Sequence, residues 1–283
     1  MNLVPQYAGL FEIMGYVLAP LFAHVVDWTL ENAAYPVKVA LRDGEPVFRA
    51  ARKLYDTRLE KYRPLADWRE VYLTRSLMKD ENGELRAKYF EQNGLDRPFT
   101  MLDTGYAGSI WEKCKNLGIE CQPLFICSAN HGIKGFLNEY NAFRILDGLR
   151  QAEDASLKYY IYRSVFRLNQ NFCQNVLEEI PHVQKHIEEF SIGPDGLVVP
   201  VLVREKPITA SMHKGFYRGF DRCFAEGNAF PPVEEYIRFL LSASFEMDSI
   251  LGLAEGYCIS DENLSKNSCN AMKVFGGFIR LGR

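Results

Sequence analysis

Between residues 36 and 129 short apolar runs take turns with helix-forming stretches: "PVKVAL", "VFRAARKLYDTRLEKY", "REVYLTRS", "RAKYFEQNG", "PFTML", "SIWEKCKNLG", "CQPLFICSA". The runs are rich in β-branched and aromatic residues and read as strands, while the stretches between them have helical composition. Gly94 and Gly118 close two of the helices, and "KDENGEL" is a polar turn. A strand, a helix and a second strand in one sheet pair in parallel through a right-handed crossover. The order therefore predicts an α/β fold, a parallel sheet flanked by helices.

Either side of this region the texture changes. "LFEIMGYVLAPLFAHVVDW" is apolar but interrupted by Glu12, Pro20, His24 and Asp27, and it lacks the basic start and cleavage site of a signal peptide. It reads as a buried helix broken at Pro20. From about residue 136 the chain is aromatic and mostly helical, with "DGLVVPVLV" adding one or two strands and helices expected over 208–226 and 232–246. A soft boundary near Gly135 divides an α/β phosphate- or nucleotide-binding core, 1–135, from a helix-rich part, 136–283, read as a lid or second domain. No Ser/Gly linker separates them.

A net charge of -3 and a pI near 6.0 give no basic excess to draw the chain onto nucleic acid or an anionic membrane. Seven scattered cysteines, without CxxC pairs, fit neither a zinc site nor a secreted disulfide scaffold and point to the reducing cytoplasm. Self-association is left open.

In an open parallel sheet ligands bind beyond the carboxyl ends of the strands. Two loops at such ends carry chemistry. In "RDGEP", Gly44 is read as relieving a backbone conformation other residues resist, the next helix offers its first amides, and Arg42 is a fixed counter-charge, a combination suited to phosphate or pyrophosphate. In "DTGYAGS", Thr104, Gly105, Tyr106, Ala107, Gly108 and Ser109 form a small-residue loop whose N–H groups and hydroxyls can cradle an anion. Asp103 can bind ribose hydroxyls or hold a hydrated magnesium ion. The plainer alternative is a tight turn in which Asp103 caps the next helix.

The order of these pieces resembles type I phosphoribosyltransferases over about residues 36 to 130. "VKVALRDGEPVFRAARKL" is similar to their first strand, pyrophosphate loop and helix, and "REVYLTRS" to a strand ending in a basic residue, here Arg75. "FTMLDTGYAGSIWEKCKNLGIECQPLFICSA" is similar to their phosphoribosyl-pyrophosphate loop, the helix after it and the next strand. The resemblance implies magnesium-assisted glycosyl transfer with pyrophosphate leaving. Arg42, Gly44 and Arg75 would hold the pyrophosphate, and Asp103 to Ser109 the 5-phosphate and ribose. Leu102 stands where that family carries a second acidic residue, and the loop is one residue shorter. This departure keeps a second reading open, a non-catalytic module that senses a nucleotide or phosphosugar or serves assembly.

"GYVLAPLFAHVVDW", "ALRDGEPVFRAARKL", "VYLTRSL" and "MLDTGYAGSI" also resemble, in order, an uncharacterised module of bacterial polysaccharide gene clusters, often fused to haloacid dehalogenase-like hydrolases. A hydrolase of that kind is the third reading. Asp43 fits its acid, but Leu41 occupies the position of the nucleophilic aspartate.

Other constellations are less specific. His182 and His186 lie one helical turn apart with Glu189 nearby, a spacing that suits metal but more commonly marks a solvated helix face. His131 and Cys127 sit where a strand-end loop can reach the crevice, and Arg163, Arg218 and Arg222 lie among aromatics that suit either stacking on a ligand or a core.

Overall fold

The computed structural model describes residues 4–41, 44–79, 82–106, 108–128, 133–139, 187–202, 207–226 and 230–237. The chain forms two compact units, one of Phe22–Glu139 with Gln184–Glu205, the other of Met1–Leu21 with Tyr140–Val183 and Lys206–Arg283. The helices expected over 140–186 and beyond 237, with Arg163, His182 and His186, lie outside the described residues.

The first unit is a five-stranded, wholly parallel sheet in the order β2-β1-β3-β4-β5. Its strands are β1 (Val37–Leu41), β2 (Arg69–Tyr72), β3 (Phe99–Tyr106), β4 (Cys121–Ser128) and β5 (Lys134–Gly135). Burial of Val37, Val39, Leu41, Met101, Leu102, Leu124, Phe125 and Ile126 fits a sheet covered on both faces. Pro123 is tolerated inside β4 because β5 covers β4 only from Leu124 onward.

Helix α2 (Glu45–Asp56) follows β1 with Pro46 in its first turn, and it buries Val47, Ala50, Ala51 and Leu54 along one stripe. The helix expected to run on to Tyr62 stops earlier. The Thr57 hydroxyl donates to the Leu54 carbonyl at 2.6 Å, Arg58 turns left-handed at φ 59°, and Glu60–Asp67 form a 3-10 helix. Helix α3 (Gly83–Asn93) ends on Gly94 at φ 63°, with Leu95 N–H donating to Phe90 O, the glycine stop its sequence predicts. Helix α4 (Ser109–Asn116) links β3 to β4.

Residues 187–192 depart from expectation, while the strand expected within "DGLVVPVLV" is present at Val198–Leu202. The helical reading of "HVQKHIEE" does not extend through Glu189, because Ile187–Ile192 is a strand, β6, paired antiparallel with β7 (Val198–Leu202). The reason is tertiary. Gln92 of α3 donates from Nε2 to Val198 O at 2.6 Å and accepts the Val198 N–H at 2.8 Å, and Phe190 packs edge-on against Tyr89.

In the second unit the early part of α1 (Val4–Asn32) meets α5 (Pro207–Ala225). A Cβ on Gly15 would lie 1.8 Å from Phe216 O, and one on Gly219 1.7 Å from Glu12 O, so both glycines are demanded by backbone contact. Tyr236, fully buried, donates its hydroxyl to Val17 O. The break expected at Pro20 is absent. The helix is continuous, with Leu18, Ala19, Leu21 and Phe22 all buried around the proline, and packing outweighs one missing N–H. The change from one unit to the other still falls beside it, between Leu21 and Phe22. Among the described residues one stretch, Phe11–Asn32, is long and apolar enough to cross a membrane, and most of it is buried within the protein.

Candidate functional site

The strand order reverses between β1 and β3. From β1 the chain crosses to β2 on one side, and from β3 to β4 on the other. Right-handed crossovers in opposite directions put their helices on opposite faces, and packing bears this out. Gly44, at the start of α2, lies against Val39, while Cys114 of α4 shares a core with Ala40 and Met101. Successive strand residues point to opposite faces, so α2 and α4 cover opposite sides of the sheet.

The two strands also part here. Their ladder ends at Val39–Leu102, two residues before the end of β1 and four before the end of β3. The carboxyl ends of β1 and β3, with the first turns of α2 and α4, thus frame one crevice of the kind in which open α/β sheets hold ligands. Hydrogen bonds tie the opposite edge of the sheet to the end of α1 and the segment after it. Ala34 N–H donates to Gln122 Oε1 at 2.8 Å, Tyr35 N–H to Thr100 Oγ1 at 3.1 Å, and Gln122 Nε2 to Asn32 O at 3.0 Å.

Both helices begin on glycine, Gly44 and Gly108, and neither start carries a side-chain cap. Their first N–H groups, which have no partner within the helix, point toward the carboxyl edge with partial positive charge.

Gly44 is at φ -81°, a conformation any residue adopts, so the conformational reason read from the sequence is incorrect. It is glycine because a Cβ would lie 2.5 Å from Ala40 O and 2.7 Å from a Val39 methyl, where the chain turns back with Gly44 N–H donating to Ala40 O. Gly105 and Gly108 are left-handed, at φ 91° and 73°, and both rest on the Phe125 ring, where a Cβ at Gly105 would come within 2.3 Å of Cγ.

The stretch "DTGY", read as loop, is the end of β3, and only residues 107 and 108 separate it from α4. Alternation puts half-buried Asp103 with Met101 and Gly105 on the α4 face, and Thr104 with Leu102 on the α2 face. Thr104 is 3% exposed and its hydroxyl donates to Asp103 Oδ1 at a long 3.4 Å. Ser109 opens α4, half-buried, and Tyr106 closes β3.

Arg75 is exposed on a turn beyond β2 rather than on the strand, which ends at Tyr72. Thr74 Oγ1 accepts Leu77 N–H at 3.2 Å and shapes that turn. Its turn lies on the same sheet edge as the crevice, next to β1. Arg42, Asp43, Ala107 and His131 fall outside the described residues, and Cys127 is buried. Arg218 and Arg222 pair with Glu12 at 3.5 and 3.0 Å in the other unit, and Phe216, Tyr217 and Phe220 beside them are core.

Two residues that shape this edge carry no local signal in the sequence. Phe125 supplies the floor under both glycines. Asn138 clamps the end of β4, accepting Ser128 N–H at 2.8 Å and donating to Ser128 O at 2.7 Å. Among the described residues no three His, Cys, Asp or Glu side chains converge as a metal site. A magnesium ion held by Asp103 would draw its other ligands from phosphate oxygens and water, the usual pattern for this ion. Comparison with known protein families, with curated proteins and with solved structures finds no match to this chain.

Proposed function

We propose that the chain binds a phosphorylated sugar or nucleotide where β1 and β3 part, and that it does so as a phosphoribosyltransferase-like enzyme of the cytoplasm. The observation that carries this reading is the pair of helix starts, each on glycine and without a side-chain cap, on opposite faces of one strand-order reversal. Such amides suit the two ends of a doubly phosphorylated ligand. Asp103, on the α4 face, would take the ribose hydroxyls or a magnesium ion, and Arg42 and Arg75 the pyrophosphate. Catalysis would come from positioning and from stabilising pyrophosphate as it leaves.

One observation favours the second reading, a non-catalytic ligand sensor. Leu102, at the position of the family's second acid, is fully buried, and its alternation carries it to the face opposite Asp103. The third reading has the weakest support, since Leu41 is a buried apolar residue where a hydrolase of that kind needs its nucleophile.

Thermal shift with phosphoribosyl pyrophosphate, nucleotides and nucleotide sugars, with and without magnesium, tests binding; pyrophosphate release from mixtures with candidate acceptors tests turnover. The expected outcome is a magnesium-dependent rise in melting temperature with at least one of these ligands, lost in Asp103→Ala while the unliganded melting curve is kept. Binding without turnover selects the sensor. The absence of any shift across the panel would remove the proposal.

A further inference from the structure

We propose that two copies of this chain join edge to edge along β6, antiparallel about a two-fold axis at Phe190, so that two β6–β7 hairpins make one four-stranded sheet. The ladder decides which edge is free. Gly193 N–H donates to Leu197 O at 2.7 Å, the bond that flanks a pair of opposed residues not bonded to each other, here Ile192 and Val198. The N–H and C=O of Ile192 therefore point away from β7, and so do those of Phe190, two residues earlier and opposite Pro200.

The two edges of the hairpin are finished differently. On β7 the Gln92 amide stands where a further strand would, accepting Val198 N–H and donating to Val198 O, and Pro200 has no N–H to give. That edge is closed. On β6 nothing among the described residues bonds the outward N–H and C=O of Phe190 and Ile192, and Ile192 is 57% exposed. Neither position carries the proline or lysine that keeps a strand edge single. Phe190 holds the edge in place, its ring edge-on to Tyr89 at a centroid distance of 5.2 Å. The edge is also its own complement. With Phe190 opposite Phe190 of the second copy, Glu189 lies across from Ser191 of the second copy and not from its own carboxylate. A two-stranded hairpin gains stability from added strands, and because β7 is closed each copy has one edge to give, so assembly stops at a dimer.

Light scattering on the full chain from about 1 to about 100 μM, the range of a weak dimer, reads its mass, and hydrogen exchange followed by mass spectrometry reads the edge. The expected result is a dimer in which the amides of Phe190 and Ile192 exchange slowly. Ile192→Pro removes an outward donor and leaves the β6–β7 ladder intact, since that N–H has no partner among the described residues, and dimerisation about tenfold weaker or more is expected. A chain that stays monomeric across the range, the outcome if a strand of another protein or another segment of this chain fills the edge, would overturn the proposal. A dimer that forms equally well in Ile192→Pro would overturn it too. So would a dimer whose Phe190 and Ile192 amides exchange as fast as in a short peptide, and that measurement decides even if the variant does not fold.

Discussion

In the sheet unit neighbouring elements meet through parallel ladders and interleaved apolar side chains. In the helical unit α1 and α5 meet backbone to backbone at Gly15 and Gly219, with a rim of charges around the crossing. Glu12 pairs with Arg218 and Arg222, Arg222 stacks over the Tyr16 ring, and Tyr16 donates its hydroxyl to Glu226 at 2.6 Å. Glycine thus has two jobs in one chain. In the helical unit it lets helices touch, and at the candidate site Gly105 and Gly108 let the backbone turn left-handed over an aromatic ring.

That contrast is broken most severely at the helix crossing. Gly219→Ala must push α1 and α5 apart, because a Cβ 1.7 Å from Glu12 O has only backbone to displace. The expected loss is about 3 kcal/mol or more, at the top of the range for overpacking, read by chemical denaturation. Gly105→Ala meets the Phe125 ring at 2.3 Å and also a left-handed backbone at φ 91°, which costs a residue with a Cβ about 1–2 kcal/mol. Adding Phe125→Ala to it removes Cγ and the ring but keeps the Phe125 Cβ, 2.5 Å away, and the left-handed backbone, so only partial rescue relative to Phe125→Ala alone is expected there. Full rescue would show that the ring alone requires the glycine.

A smaller effect separates the units by pH. Tyr16 and Tyr89 are both raised to about 12, but for different reasons. For Tyr16 the hydrogen bond to Glu226 is the largest cause, whereas for Tyr89 it is burial, with the Tyr89 hydroxyl accepting Tyr72 N–H at 2.7 Å. The unfolded chain ionises its tyrosines near pH 10, below both folded values. Each therefore contributes stability that is complete below pH 10 and lost as pH rises through about 12. Ultraviolet titration of Tyr16→Phe and Tyr89→Phe identifies each step. In Glu226→Ala, which removes the acceptor of the Tyr16 hydroxyl, the Tyr16 step is expected to fall toward 10 and the Tyr89 step to stay. Equal movement of both would show that burial does not distinguish them.

The parallel core was legible because its signals are local and agree. β-branched runs, helix formers between them, and glycines at helix ends specify β1, α3, α4 and β4 within a few residues. What sequence could not convey depended on distant partners. Gln92 holds the expected strand at Val198 from over a hundred residues away, and 187–192 pairs against that strand instead of continuing a helix, while burial on both sides carries α1 through Pro20. The site was legible in part for the same reason. Its loops stand out as composition, yet that they border one crevice follows from the strand order β2-β1-β3, which no stretch of sequence contains. Gly44 was singled out correctly as a special position but for a conformational reason, when the cause is the carbonyl of Ala40 pressed against it.

The most direct test maps the first turns of α2 and α4 by backbone amide NMR while pyrophosphate is titrated in. If the two uncapped helix starts share a ligand, the amides of Glu45 and Val47 and those of Ser109, Ile110 and Trp111 move together along one binding curve. Shifts confined to other surfaces, or none at these amides, would contradict the account.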